Sequence, residues 1–387
     1  MAADNVDPPQ LAFSPHGGLG VKTQDNRFAI GLHGFMQLDG AVFDDDQAQL
    51  GNGTSVRNAK LIVKGKAFTD WGYKFQVDFT NDGKKKLQDL FVQYRGFKPV
   101  TVKLGNFKQP FSLQFLNGAR KATFMELGLM HEALVPKRRV GIQAASHSPF
   151  YTAQAGVFTN KVTDNPDQDT GVGVVARGVL TPIHTKQRLV MLGLAGQYRH
   201  LGDFNKVAMK ARPDSHVTAQ RMVGFGPHTQ GNAGSSLKPI TDGQNIAAGD
   251  VQATAAFGPW AAQGEYVHKR VERRDSSFDA DGGYVQASYF LTGDSRASAY
   301  KSGAGAYGRI VPKHDYGAWQ VAFRYDALNL NDGGIAGGRE HDYTAALNWY
   351  VNKAVRFDLN YVRASADYPN GPDNDSNIYQ VRAQVGF

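Results

Sequence analysis

Along most of this chain apolar and polar side chains alternate one for one. In GYKFQVDFT (72–80), Tyr73, Phe75, Val77 and Phe79 share one face, and Lys74, Gln76, Asp78 and Thr80 share the other. LQDLFVQYR (87–95) sets Leu90, Val92 and Tyr94 against Asp89, Gln93 and Arg95. The last twelve residues put Tyr379, Val381, Ala383, Val385 and Phe387 on one side and Ile378, Gln380, Arg382, Gln384 and Gly386 on the other. Period two marks β-strands whose faces meet different media. Segments of this kind, bounded by turn residues, predict sixteen strands: 27–38, 56–68, 72–80, 87–97, 99–108, 138–147, 150–159, 170–180, 188–200, 245–257, 259–271, 282–292, 315–328, 341–351, 354–366 and 376–387.

The intervening segments alternate in length. Short turns fall at Thr69–Trp71, Lys98–Pro99, His147–Pro149, Gly258–Pro259 and Asn352–Lys353, and long polar connections at 39–55, 109–137, 201–244 and 329–340. A membrane barrel with short inner turns and long outer loops has this rhythm. One connection departs from it: 293–314 is long yet lies on the short-turn side, so either it folds back against the barrel or the strand assignment slips there. Trp71, Trp260, Trp319 and Trp349 all fall near the short-turn side, as an aromatic girdle at one membrane interface requires.

Partition energies separate a membrane barrel from a soluble β-protein. A Lys or Arg on the lipid face at mid-bilayer costs about 2–4 kcal/mol. Lys74, Asp89, Arg95, Lys103, Gln197 and Arg382 lie opposite the apolar positions, which is tolerable only if that face is wet. Barrels of about sixteen strands enclose such an aqueous lumen. The fold expected is therefore all-β: a sixteen-stranded antiparallel transmembrane β-barrel over 27–387, preceded by an N-terminal periplasmic segment (1–26). A soluble or secreted β-sheet binding protein is the rival architecture.

Composition narrows the function. The 387 residues include 16 Tyr, 23 Phe and 44 Gly against 7 Met, which suits strands and tight turns, and Cys is absent, which removes thiol chemistry and disulfides. No apolar run approaches the roughly 20 residues of a membrane helix. The opening MAADNVDPPQ has no basic n-region or apolar core, which fits a cytosolic protein or a mature chain with an added Met; the strands favour the latter. The net charge of +8 is scattered among strands and loops instead of striping one helix, so nucleic acid is not the expected partner. No HExxH, GxSxG, Walker loop or paired-carboxylate motif occurs. His131-Glu132, Ser146-His147 and His341-Asp342 read as ordinary polar residues, and neither an enzyme nor a cofactor is expected.

Residues 104–139, LGNFKQPFSLQFLNGARKATFMELGLMHEALVPKRR, resemble the phosphate-selective porin family, the O and P type outer-membrane channels. GGLGVKTQDNRFAIGLHGFMQLDG, TDWGYKFQVDF, LQDLFVQY, AFRYDALNL and ALNWYVNKAVRFDLNYVRA extend the resemblance over nearly the whole chain. It implies a homotrimer in the bacterial outer membrane, among lipid and lipopolysaccharide, with the third long loop (109–139) folded inward as a constriction and 201–244 as a long extracellular loop. The family's anion site carries over in part. Of two adjacent Arg in the second strand, Arg57 remains and Asn58 replaces the other; Asp89 matches the acidic residue of the fourth strand. The family's first-strand Arg is Phe35 here. Its loop Lys, Ser pair with Lys, and Arg after Glu correspond to Phe115, to Gly118, Ala119 and Arg120, and to Leu127 after Glu126.

A pore for small anions needs cations converging on a narrow passage. The residues assigned to it are Arg57, Asp89, Lys103, Arg120, Lys121, Arg138 and Arg139, with Asp89 ordering its cationic neighbours. Strict alternation places Arg57 with Leu61 and Val63, so a bulge is needed to turn it inward. Lys84–Lys86 read as a solvated hairpin tip or a lipopolysaccharide contact, Lys137 as a loop anchor or pore residue, and Lys269–Arg274 as surface. Three cations about 6 Å from an anion in waterlike dielectric contribute roughly 2 kcal/mol, which gives preference but not tight binding. The expected function is passive diffusion of small anions, phosphate among them; a broad small-solute porin is the alternative.

Overall fold

The structure, a computed structural model, describes residues 10–14, 18–45, 50–80, 86–162, 164, 171–226, 238–369 and 371–387. Sixteen antiparallel strands close into a barrel. They are β1 (Ala29–Asp45), β2 (Gly53–Ala67), β3 (Trp71–Asp78), β4 (Lys86–Tyr94), β5 (Val100–Lys108), β6 (Arg138–His147), β7 (Tyr151–Phe158), β8 (Gly173–His184), β9 (Arg188–His200), β10 (Gly243–Phe257), β11 (Trp260–Arg273), β12 (Ser277–Phe290), β13 (Ala318–Asp332), β14 (Ile335–Tyr350), β15 (Val355–Asp367) and β16 (Asn374–Gly386). Each pairs with the next, and β16 returns to β1 from Ser376↔Asp45 to Gly386↔Phe35. Closure matters because hydrocarbon offers no partner to an open strand edge.

The alternation holds on the outside. Tyr379, Val381 and Val385 are 55%, 52% and 51% exposed, whereas Gln380, Arg382 and Gln384 are 2%, 3% and 5% exposed. An apolar exterior around a buried polar interior excludes the soluble alternative. All four Trp sit at strand ends on the short-turn rim; Trp319 and Trp349 stack across the β13–β14 ladder at 5.2 Å, and Trp260 meets Tyr289 at 4.5 Å.

Three boundaries differ from the sequence expectation. The connection expected at 39–55 is mostly strand, because β1 runs to Asp45 and β2 starts at Gly53. That expected at 329–340 is a hairpin closed at Gly333–Gly334, with Gly333 at φ 55°. In both places polar residues carry the strand past the apolar band, so the period-two signal fades before the ladder ends. Within the expected 1–26 segment, Gln10–Ser14 and Gly18–Lys22 form a hairpin whose second strand pairs with Ala29–Leu32. β1 overhangs the end of β16 there, and the hairpin takes up its free backbone groups.

Three connections enter the lumen. Residues 109–137 carry two short helices, α1 (Leu113–Asn117) and α2 (Leu129–Ala133). The long connection after β9 contributes a small ribbon, Met209–Ala211 paired with Val223–Phe225. The irregular 293–314 connection folds back into the barrel: Arg177 donates to the carbonyls of Ala304 (3.4 Å) and Gly305 (2.8 Å), and Thr152 to that of Ser302. These segments pack on inward apolar residues that alternation alone did not foresee, among them Val267, Val271, Phe278, Leu328 and Leu330. The lumen is thus not one wide bore. Part of it is packed, and open space remains beside β1–β5.

Candidate functional site

The first inward loop is held by complementary chemistry at its backbone. Helix N-termini present unpaired N–H groups, and strand acids meet them: Glu265 accepts from Leu113 N (2.7 Å) and Gln114 N (2.8 Å), and Asp326 from Leu129 N (3.0 Å). Ser112 caps α1 through Phe115 N (3.2 Å). Carbonyls of the extended stretch between the helices are taken by strand Arg residues. Arg356 donates to Ala122 O (2.6 Å) and Thr123 O (2.8 Å), Arg324 to Glu126 O (2.9 Å), and Arg382 to Met125 O. The loop is therefore a fixed partition. His131, with Nε2 2.8 Å from Ser112 Oγ, is one of its internal struts.

Between this partition and the inner wall of β1–β5 runs a channel of about 1250 Å³. Among the described residues it is lined by eleven Lys or Arg side chains and two carboxylates, Asp78 and Asp89. Arg57 reaches it by the required bulge: the β1–β2 register jumps from Gln37↔Asn58 to Leu38↔Val56, leaving Arg57 unpaired in the ladder. Its guanidinium grips Glu126 through Nε (2.6 Å) and Nη2 (2.8 Å). Asp89 pairs with Arg138 (2.6 Å) and Lys74, and Asp78 with Lys60 (3.4 Å). At the outer mouth Arg212 pairs with Glu132, and His216 Nδ1 lies 2.9 Å from Glu126 Oε2.

Toward the short-turn end the pattern changes. Lys64, Arg120, Lys121 and Lys353 line the channel, and no carboxylate pairs with any of them among the described residues. Arg309, from the re-entrant 293–314 connection, joins them and donates to Lys353 O (3.2 Å). Nε and Nη2 of Arg120 are buried without a partner. Burial, reinforced by the charges of Lys74, Arg309, Lys64 and Arg120, lowers the Lys121 ammonium to about 8.

Of the seven residues assigned from the sequence, Arg57, Asp89, Arg120, Lys121 and Arg138 line the channel. Lys103 and Arg139 do not. The Lys103 ammonium sits 4.9 Å from the ring centres of both Phe91 and Phe107, and Arg139 faces Asp164 (4.0 Å) and Thr159 O (3.3 Å). Lys137 donates to His131 O, closing the loop as an anchor. Lys269, read as surface, reaches inward to Leu134 O (2.9 Å). Lys84 and Lys85 lie outside the described residues, as does the side chain of Lys86. The unassigned lining cations are of two kinds. Lys60, Lys64, Lys74 and Lys108 stand on strands, and the first three alternate with lipid-facing apolars and were legible in that pattern. Arg212, Arg309 and Lys353 stand on connections, where no periodicity points to them.

A closed sixteen-strand barrel with a charged, loop-narrowed lumen is the architecture of a porin. The model of the family "Phosphate-selective porin O and P" matches residues 29–387. Porin O of Pseudomonas aeruginosa is 28% identical over 416 aligned residues, covering 99% of this chain and 94% of that protein. Among solved structures, an anion-selective porin from Comamonas acidovorans superposes with a TM-score of 0.57 at 12% identity, covering 93% of this chain and 100% of that one. The trimer form of OmpT from Vibrio cholerae gives 0.58 at 10% identity, covering 93% and 99%. The chain belongs to the phosphate-selective porin O and P family and is a porin of the bacterial outer membrane.

Proposed function

We propose that small anions, phosphate among them, diffuse passively through the channel beside β1–β5, and that residues 109–139 form its filter. The observation that carries this reading is the stretch formed by Lys64, Arg120, Lys121 and Lys353, none of which pairs with a carboxylate among the described residues. Arg57, Asp89 and Arg138 act one step earlier, as a paired entrance that shapes the loop. The chain works without a cofactor. It assembles as a homotrimer, as the trimer form of OmpT with the same fold supports. Its exposed belt lies against outer-membrane lipid and lipopolysaccharide, with the segment before residue 27 on the periplasmic side and 201–244 on the extracellular side.

The broader alternative, general anion passage without tight phosphate binding, has one specific support. Tight phosphate recognition uses several converging donors, and at the family's loop positions this chain has Gly118, Ala119 and Leu127. Zero-current potentials of the purified trimer in planar bilayers, under a KCl gradient with and without phosphate, test both versions. Anion preference is expected. Cation preference would refute the proposal, and failure of phosphate to reduce chloride current would leave only the broad version.

A further inference from the structure

We infer that the inner stretch reads the apolar part of its solute as well as its charge, so that the channel favours small aryl carboxylates over inorganic phosphate. This rests on the reading that the channel conducts anions. The evidence is the placement of two Phe rings in a cationic wall. Phe35 lines the channel with its ring centre 5.3 Å from Lys60 Nζ and 5.5 Å from the Arg120 guanidinium carbon. Phe115 lines it across the loop, 4.3 Å from Lys108 Nζ. Leu116 and Leu127 continue the same apolar surface.

Phosphate is compact and strongly hydrated, and it gives up water only where many donors replace it. The Phe and Leu part of this wall supplies none. A flat arene bearing one carboxylate fits the juxtaposition better: the carboxylate can pair with the lining cations Lys64, Arg120 and Lys121 while the ring lies against Phe35. Phe35 is suited to this because it stands on β1, fixed by the ladder that closes the barrel, so its surface is presented without a rearrangement.

The test is a set of bi-ionic potentials of the wild-type channel in bilayers, with potassium benzoate, acetate or phosphate against KCl. Benzoate is expected to be about fivefold more permeant than acetate despite its larger size, and to reduce chloride current at concentrations where phosphate does not. Phe35→Leu should bring the benzoate-to-acetate ratio down toward one, and Phe35→Arg should also make phosphate the stronger blocker. Anion preference in plain KCl with benzoate no more permeant than acetate overturns this inference alone. Cation preference in plain KCl removes the anion-channel reading and the inference with it.

Discussion

The outer and inner stretches of one channel are built from the same side chains and use them differently. In the outer stretch Arg57, Lys60, Arg138 and Arg212 each face a carboxylate, on the wall or on the inward loop, and Lys108 is held by the Phe115 carbonyl; Lys74, level with Lys64 across the β2–β3 ladder, marks the border and still pairs with Asp89. In the inner stretch Lys64, Arg120, Lys121 and Lys353 have none among the described residues. A paired cation spends its field on its partner and fixes the loop in place. An unpaired one projects into the water that solutes occupy. A count of lining charges therefore overstates selectivity, and the unpaired remainder is what an anion meets.

The largest effect that sharpens this contrast is structural. Arg382 is 3% exposed, pairs with Asp39 and Glu126 (2.6 and 2.7 Å) and also holds Met125 O. Arg382→Met leaves the buried Asp39 carboxylate without a cation and Glu126 with only Arg57 and His216, and should cost about 3–5 kcal/mol, read as a lower temperature for loss of the folded band in detergent gels. Arg120→Met removes a cation without a carboxylate and should change stability by less than about 1 kcal/mol. Equal losses would mean that the inner cations are structural too.

Next in size is selectivity itself. Arg120→Glu combined with Lys121→Glu should lower the anion-to-cation permeability ratio at least about tenfold, since two positive charges near the solute become two negative ones. Arg57→Gln, in the paired stretch, should change it less than about threefold. Reversal potentials at low ionic strength make the comparison, because salt screens the effect over a Debye length of about 10 Å at 0.1 M. The opposite ordering would break the distinction between the stretches.

The barrel was legible because lipid imposes period two on every strand, and the pattern from Tyr379 to Phe387 survives unchanged as exposed against buried. Even the Arg57 bulge followed from a conflict of parity. The packed part of the lumen was not legible. Inward residues such as Phe278 and Leu328 pack on loops instead of facing water, and a strand sequence does not say which of its wet positions a distant loop will cover. Arg309 shows the same limit from the loop side: it reaches the channel because 293–314 folds back, a possibility that connection length raised without naming a residue. Lys103 failed for a local reason, since its parity was correct but Phe91 and Phe107 hold it.

A smaller effect comes from pH. The Lys121 ammonium titrates near 8, below the ordinary range for Lys, because it is buried among like charges. It is charged at pH 6 and neutral at pH 10, so raising the pH across that window removes one positive charge. At about 6 Å in waterlike dielectric one charge contributes roughly 0.7 kcal/mol, so anion preference should fall about threefold. Lys121→Arg should flatten the profile, because a guanidinium keeps its proton. A threefold fall that persists in Lys121→Arg would assign the titration to another group.

The smallest effects belong to Lys103 and Arg139, the two residues assigned from the sequence that do not line the channel, which serve as internal controls. Lys103 sits over two Phe rings, and Arg139 faces Asp164 and Thr159 O. If selectivity follows the unpaired lining charges and not the net positive charge of the barrel, Lys103→Gln and Arg139→Gln should each shift the permeability ratio by less than about 1.5-fold at 0.1 M salt, where screening removes most of what distance leaves. Lys64→Gln deletes the same charge from the inner wall and should shift it about threefold. Similar shifts in all three variants would mean that the anion responds to the total charge of the barrel, and the division of the channel into paired and unpaired stretches would lose its functional meaning.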